Sequence, residues 1–303
     1  LGPGMPSQEI PILTEKGVCM PKKKKKNVRT LVDDIFNLID IGVEEIDKDN
    51  LNDFLDTLKE ETVRFLKPSE GEKKRLRLSA VGRHDRQLWL EINDPVKRKE
   101  IPQLRMRFFY GHLLEALLLF LAKEAGHDVK HQQKEVVLEG VKGHIDAVID
   151  GVIVDVKSAS DYGFKKFQTG GVFHSDPFGY IGQISSYMEA MDIEEGAFFV
   201  INKNSGNMTL MMMDELSTIN AAKRVSDLKE IVKSDKIPEK CYEDVPFGTS
   251  GNRALQNGCV FCNYKERCWS DSNDGSGLRV FTYANGPRYF TEVQKEPNVA
   301  EVM

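Results

Sequence analysis

A chain of 303 residues is long enough for one large domain or two modest ones. Hydrophobic residues make up 40% and charged residues 29%, which fits a globular chain, and the lack of a run of about 20 apolar residues argues against a membrane span. The formal net charge of -5 argues against a protein that coats nucleic acid over its whole surface, but leaves room for a local basic groove.

In chain order, Leu1 to Gly4 ahead of Met5 read as a remnant of expression, and no signal peptide follows, which points to an intracellular, cytoplasmic protein. Residues 1–27 form a flexible arm ending in the basic run Lys22 to Lys26. Residues 28–74 form a helical N-terminal region. Leu31, Ile35, Leu38 and Ile39 recur at helical spacing, as do Leu51, Phe54, Leu55 and Leu58, and Ser69 to Lys74 is a polar link.

Residues 75–235 carry the pattern of a mixed α/β core. Leu78 to Leu90 is expected to be helical with Ser79 as N-cap, ending at Asp94-Pro95. A strong helix runs from Arg107 to Ala125 and stops at Gly126. Val129 to Leu138 reads as a strand, Asp161 to Ser175 as an irregular glycine-rich loop, and Pro177 to Met191 as a helix. Gly196 to Asn202 and Asn207 to Met213 form a strand pair, and Ser217 to Lys233 an amphipathic helix. Residues 236–270 are loop-rich and hold four of the five cysteines. Residues 271–303 are a tail with one strand-like piece, Leu278 to Tyr283.

The stretch from Gly143 to Lys157 is the most informative. Asp150-Gly151 between two apolar runs signals a two-residue hairpin turn, which places Ile149 opposite Val152, Ala147 opposite Val154 and Asp146 opposite Asp155. In that register His144 lies opposite Lys157. Lys157 shares a face with Asp155, while Ile145, Ala147, Ile149, Val152, Val154 and Val156 occupy the other, apolar face. Opposed carboxylates repel, and a hard divalent cation such as Mg²⁺ or Mn²⁺ between them turns the repulsion into binding. Glu115, inside the strong helix, shares its face with Gly111, Leu118, Leu119 and Ala122, where a buried carboxylate needs a partner. Glu115, Asp146, Asp155 and Lys157 are therefore the candidate catalytic residues for metal-assisted phosphodiester hydrolysis. Cys259, Cys262 and Cys268 have the short spacings of a metal site that lacks a fourth ligand.

Asp146 followed by Asp155-Val156-Lys157 resembles the core motif of the PD-(D/E)XK nuclease superfamily, with Ile145 in place of the usual proline. Gln183-Ile184-Ser185-Ser186-Tyr187 is similar to the Gln-x-x-x-Tyr motif of its RecB-like branch. Glu115 stands where that branch often has a histidine, as in lambda-type exonucleases. The resemblance spans about residues 78 to 270. It implies a restriction-endonuclease-like fold: a mixed β-sheet core flanked by helices, with the helical region in front and a metal-tied segment behind. It further implies one or two Mg²⁺ or Mn²⁺ ions on Glu115, Asp146, Asp155 and the Val156 carbonyl, and a substrate strand supported by Gln183 and Tyr187.

In relatives with an iron–sulfur cluster, a similar cysteine group closes with an upstream cysteine in a Ser-x-x-Gly-x-Cys-x-Arg setting. Here Ser79, Gly82 and Arg86 match and His84 stands in the cysteine's place. The resemblance thus implies a structural site of His84, Cys259, Cys262 and Cys268, holding zinc or a [4Fe–4S] cluster, with Cys241 as the rival fourth ligand.

Lys165 and Lys166, with Arg105, Arg107 and Lys203, are expected to contact DNA phosphates, with Arg75, Arg77, Arg83 and Arg86 extending the groove. Tyr162, Phe164, Phe167 and Phe173, interleaved with them, offer either base stacking or packing of the loop. The expected activity is a DNA exonuclease acting on linear ends in recombination, repair or phage DNA processing, in the host cytoplasm if phage-encoded. Expected partners are DNA and a single-strand annealing or recombination protein, with a homo-oligomer as one possible state. An endonuclease and a non-cleaving end-binding module are the rival readings.

Overall fold

The structure, a computed structural model, describes residues 26–67, 75–95 and 102–302. Most of the expected basic arm and the link from Ser69 to Lys74 lie outside these residues.

The helical front consists of α1 (Leu31–Ile41) and α2 (Lys48–Leu66), the latter capped by Asp47, whose side chain accepts from the Asp49 and Asn50 amides. After the short helix α3 (Asp85–Asn93) comes the long α4 (Pro102–Glu124), which begins five residues before Arg107. The cap of α3 is His84 and not Ser79, because Leu78 to Ala80 form a separate 3₁₀ turn.

The expected strand from Val129 to Leu138 is two strands. β1 (Val129–Lys130) and β2 (Glu135–Leu138) are separated by a turn in which His131 and Gln133 take positive φ. β2 pairs with β3 (Val141–His144) in its own two-stranded sheet, joined by Glu139-Gly140. This register puts His144 opposite Glu135, not Lys157. The chain bends at Ile145 and Asp146, where the Ile145 amide donates to the Lys134 carbonyl and the Asp146 carbonyl accepts from the Gln133 amide.

Beyond the bend, β4 (Ala147–Ile149) and β5 (Val152–Ala159) pair as expected, with Ala147 opposite Val154 and Ile149 opposite Val152. Asp150 and Gly151 have φ of 52° and 92°, as a tight turn with two left-handed residues requires. The Asp150 carboxylate also holds the His127 ring at 2.7 Å and the Asp128 amide at 3.0 Å.

The expected irregular loop is helical instead: α5 (Asp161–Gln168) and α6 (Gly171–His174). Ser160 caps α5, and Phe164 and Phe167 are buried in the core, so a local cap and an i, i+3 apolar pair override the glycines. α7 (Tyr180–Met191) follows, then β6 (Gly196–Asn202), β7 (Met208–Met212) and α8 (Ala221–Lys233), capped by Asn220.

The main sheet has the order β1-β4-β5-β6-β7, with β5 and β6 parallel and the other pairs antiparallel. Helices cover both faces. One core joins Ala147, Ile149, Val154 and Phe199 to Leu118 and Leu119 of α4 and to Leu31 and Ile35 of α1. The other joins Ile145, Val148, Ile153 and Phe198 to Leu78 and to Ile184 and Tyr187 of α7. Hence the face that carries Asp155 is itself packed, and Ile145 belongs to that side because of the bend before β4. Burial on both faces explains the unbroken apolar run of β6. The expected architecture, a mixed α/β core flanked by helices, is the one observed.

The C-terminal part contains β8 (Val245–Pro246), β9 (Arg253–Ala254), β10 (Arg279–Tyr283) and β11 (Gly286–Glu292), forming a sheet in the order β10-β11-β9-β8. The strand-like piece of the tail is thus one of a pair, and β11 was not legible beforehand. Among the described residues no helix is long and apolar enough to cross a membrane.

Candidate active site

Three elements deliver the acids. β5 places Asp155 and Lys157 on its α7 side, the bend before β4 places Asp146 beside them, and α4, packed on the sheet, carries the half-buried Glu115. At Gly111, one turn before Glu115, a Cβ would lie 3.7 Å from Ser158 Oγ, so the helix passes close over the end of β5.

Asp155 is 1% exposed. Its Oδ1 accepts from Gln183 Nε2 at 2.9 Å, and its Oδ2 forms an ion pair with Lys157 Nζ. Asp146 Oδ2 accepts from the Val156 amide at 2.7 Å. Glu115 Oε1 accepts from Gln133 Nε2. Gln183 Nε2 also reaches Tyr187 Oη at 3.4 Å, and Tyr187 is 2% exposed. Gly143 makes room for that ring, since a Cβ there would sit 2.9 Å from Tyr187 Cε1. Lys157 Nζ lies 5.2 Å from the centre of the Tyr180 ring.

The electrostatics follow from three carboxyl groups sharing one poorly solvated place with a single ammonium. Burial pushes Glu115 up to about 7; the hydrogen bond from Gln133 opposes this and the charge of Asp155 adds to it. Asp146 is raised well above the usual carboxylate range by burial, then by Asp155 and Glu115. For Lys157, burial alone would favour the neutral amine, but Asp155 and Asp146 outweigh it and its pKa is raised. Tyr187 is raised as well, mainly by burial, and stays a neutral phenol. The site therefore carries more carboxylate than its own cation neutralises, which suits a divalent ion of hard character. Among the described residues no three His, Cys, Asp or Glu side chains stand as a finished metal cage.

Sequence reasoning missed two members. Tyr180 lies three residues before Gln183 and seven before Tyr187 on the same helix face, a spacing that was there to be read. Gln133 sits in a turn and has no local signal. Of the expected phosphate contacts, Lys165 is exposed and Lys166 half-buried on α5, while Phe164 and Phe167 are core and Tyr162 is 79% exposed. Arg83, Arg86 and Arg105 are tied up within the protein, on Glu91, on the Pro238 carbonyl and on the Phe65 carbonyl respectively.

A second cluster lies behind. His84, Cys241, Cys259, Cys262 and Cys268 line one cavity together with Tyr242 and Trp269. His84 Nε2 is 2.7 Å from Tyr242 Oη. Burial pushes the Cys241 and Cys259 thiols up to about 11.

No family model and no curated protein matches this chain. Several solved structures are similar to it. The crystal structure of SSO0001 has 17% identity and a TM-score of 0.37, over 71% of this chain and 94% of the other. An alkaline exonuclease from Laribacter hongkongensis has 14% identity and a TM-score of 0.34, over 51% and 89%. A phage related exonuclease from Haemophilus somnus has 14% identity and a TM-score of 0.37, over 54% and 92%. At these values the likeness says nothing of substrate or activity.

Proposed function

We propose that this protein is a divalent-metal-dependent deoxyribonuclease that shortens linear DNA from its ends. The observation that carries the reading is the convergence of Glu115, Asp146 and Asp155 around Lys157, with the carboxyl groups of Glu115 and Asp146 raised mainly by burial and further by the acids beside them. Mg²⁺ or Mn²⁺ held by these acids, with the Val156 carbonyl completing the shell, would polarise a phosphoryl oxygen and make a water more acidic. Without metal, Asp155 and Asp146 hold the proton on Lys157; its ammonium would orient the attacking water and offset charge that builds on the phosphate. Gln183 holds Asp155 in place and, with Tyr187, supports the substrate strand. Lys165 and Lys166 contact phosphates, a sequence-independent term that weakens with salt. Recombination, repair or phage DNA processing, and a single-strand annealing partner, fit such an activity.

The test is a digestion time course on linear duplex, linear single-stranded and closed circular DNA, with Mg²⁺, with Mn²⁺ and with chelator. Shortening from the ends with circles intact is the expected result. Cut circles would make the enzyme an endonuclease using the same site. DNA binding without any cleavage would leave a non-cleaving end-binding module.

The raised carboxyls also set a pH dependence. Between the ordinary value of 4.5 and about 7, folded Glu115 retains a proton that the unfolded chain has released, so metal-free stability falls as pH rises through that window. Asp146 acts in the same direction. A bound divalent cation replaces those protons, so the rise in Tm caused by Mn²⁺ should be larger at about pH 8 than at about pH 6. Thermal melts with Mn²⁺ and with chelator check this, and an equal rise at both pH values would remove the carboxylates as the metal site.

A further inference from the structure

We propose that Phe178 and Phe261 form a stacking platform for unpaired bases of the DNA strand whose phosphate lies at Lys157. The assignment rests on the nuclease reading and adds what is bound beside the reacting phosphate: single-stranded nucleotides, held through their bases.

A line of aromatic rings runs from the core, past the candidate active site, to the surface. Phe198 and Phe167 are buried, with ring centres 5.3 Å apart. Tyr180 lies 5.6 Å from Phe167, and it is the ring that faces the Lys157 ammonium at 5.2 Å. Phe178 follows at 5.6 Å from Tyr180, and Phe261 at 6.4 Å from Phe178. Exposure rises along the line, from 0% at Phe198 to 50% at Phe178 and 71% at Phe261. The inner rings are core. The outer two largely forgo the burial that makes a phenylalanine stabilising, and exposed rings side by side are a patch, unlike single scattered ones.

Neither ring is exposed through looseness. Phe178 sits in the turn Asp176-Pro177-Phe178-Gly179. The Asp176 carboxylate accepts from the Gly179 amide at 2.9 Å and from the Ile181 amide at 2.8 Å. Pro177 restricts its own φ, and Gly179 takes a φ of 78°. A Cβ at Gly179 would lie 2.5 Å from the Gly82 carbonyl carbon, so the turn rests backbone to backbone on the segment before α3. Phe261 ends the helical turn Asn257–Val260, where the Cys262 amide donates to the Cys259 carbonyl at 2.9 Å and Cys259 is buried. Both rings are thus presented by a fixed backbone, which lowers the ordering cost when a flat ligand settles on them.

The occupant follows from the position of the line. The nuclease reading puts a phosphate at Lys157, so a group lying on Phe178, the ring next to Tyr180, belongs to the same strand and close to the reacting nucleotide. A nucleotide offers a charged backbone and a flat base. Phenylalanine has no donor for the backbone, and its ring matches the π-face of a base. Bases inside a duplex already cover one another's faces, so the platform takes unpaired ones. It prefers no base over another, because every base has such a face. DNA ends with unpaired nucleotides are then the preferred substrates, and a blunt duplex has to fray first.

The test uses the full chain in chelator, so that binding is read without cleavage. Single strands of about 12 nucleotides carry a fluorescent adenine analogue at one position each, scanned along the strand. Quenching of its emission reports stacking, and anisotropy of an end label gives Kd. Wild type is compared with Phe178→Leu, Phe178→Tyr, Phe261→Leu and Phe261→Tyr. Leucine keeps apolar bulk and removes the ring, whereas tyrosine retains the ring. Each leucine variant should raise Kd for the single strand about tenfold and lose the quenching, while each tyrosine variant stays within about twofold of wild type. Kd for a blunt duplex should change by less than about twofold, and melting should stay within about 2 °C because both rings are exposed. Leucine variants that bind and quench like wild type overturn the proposal and leave the two rings for a protein partner. Equal weakening for single strand and blunt duplex overturns it too. A wild type that quenches no position overturns it without any variant. The nuclease reading fails separately. Loss of single-strand binding in the leucine variants of a protein that cleaves nothing with Mg²⁺ or Mn²⁺ supports the platform and removes the activity. A wild type that binds no DNA, in chelator or with Mn²⁺, overturns both.

Discussion

Lys157→Ala should slow DNA cleavage by about 10²–10³-fold, the usual loss when one group that stabilises transition-state charge is removed. The Lys157 ammonium pairs with Asp155, and in the metal-free protein its proton is held by Asp155 and Asp146. As an ammonium beside these acids, it is expected to contribute through charge and position. Two further results follow. Binding of linear DNA should change little, because Lys157 is 80% shielded from solvent (side-chain exposure 20%) and is not a general phosphate contact. Metal-induced stabilisation should persist, since the three acids remain. A steady-state rate within about three-fold of wild type would leave Lys157 as a structural partner of Asp155 and nothing more.

Gly182→Ala should cost about 3 kcal/mol, at the upper end of overpacking penalties, and lower Tm by about 6 °C or more. The new Cβ would meet Gly82 Cα at 2.4 Å and Gly82 N at 2.5 Å, and both are backbone atoms that no rotamer change can move. The contact joins the start of α7 to the turn before α3, so it fixes both Gln183 behind Asp155 and His84 beside Tyr242. Residual folded protein should therefore lose activity beyond its loss of stability. A melt within about 1 °C of wild type would mean that the two segments are not packed backbone to backbone.

In the sequence Gly82 stands out only as part of the motif around His84. Its physical role is this close approach, which no single-chain pattern encodes, because its partner is a hundred residues away. The hairpin register is the opposite case. Asp150-Gly151 and a two-residue alternation determine it locally, so Asp155 and Lys157 on one face, and Asp146 near them, could be read directly. Glu115 was legible for the same reason, as a charged residue on an apolar helix face. The expectation failed where local rules compete. The glycines between Asp161 and Ser175 suggested a loop, but Ser160 caps a helix and Phe164 and Phe167 bury against the sheet.

What the sequence alone determined is therefore the set of short-range relations: which acids share a face, which helix carries the third, and the spacing of Cys259, Cys262 and Cys268. The tertiary structure decided the rest. It turned His144 away from Lys157 toward Glu135, brought Tyr180 and Gln133 into the site, gave Arg83, Arg86 and Arg105 partners within the protein, and set Cys241 among the other thiols. The reason is one of range. Backbone periodicity fixes direction within an element, whereas a contact between elements depends on bends, crossings and close approaches that only the packed chain specifies.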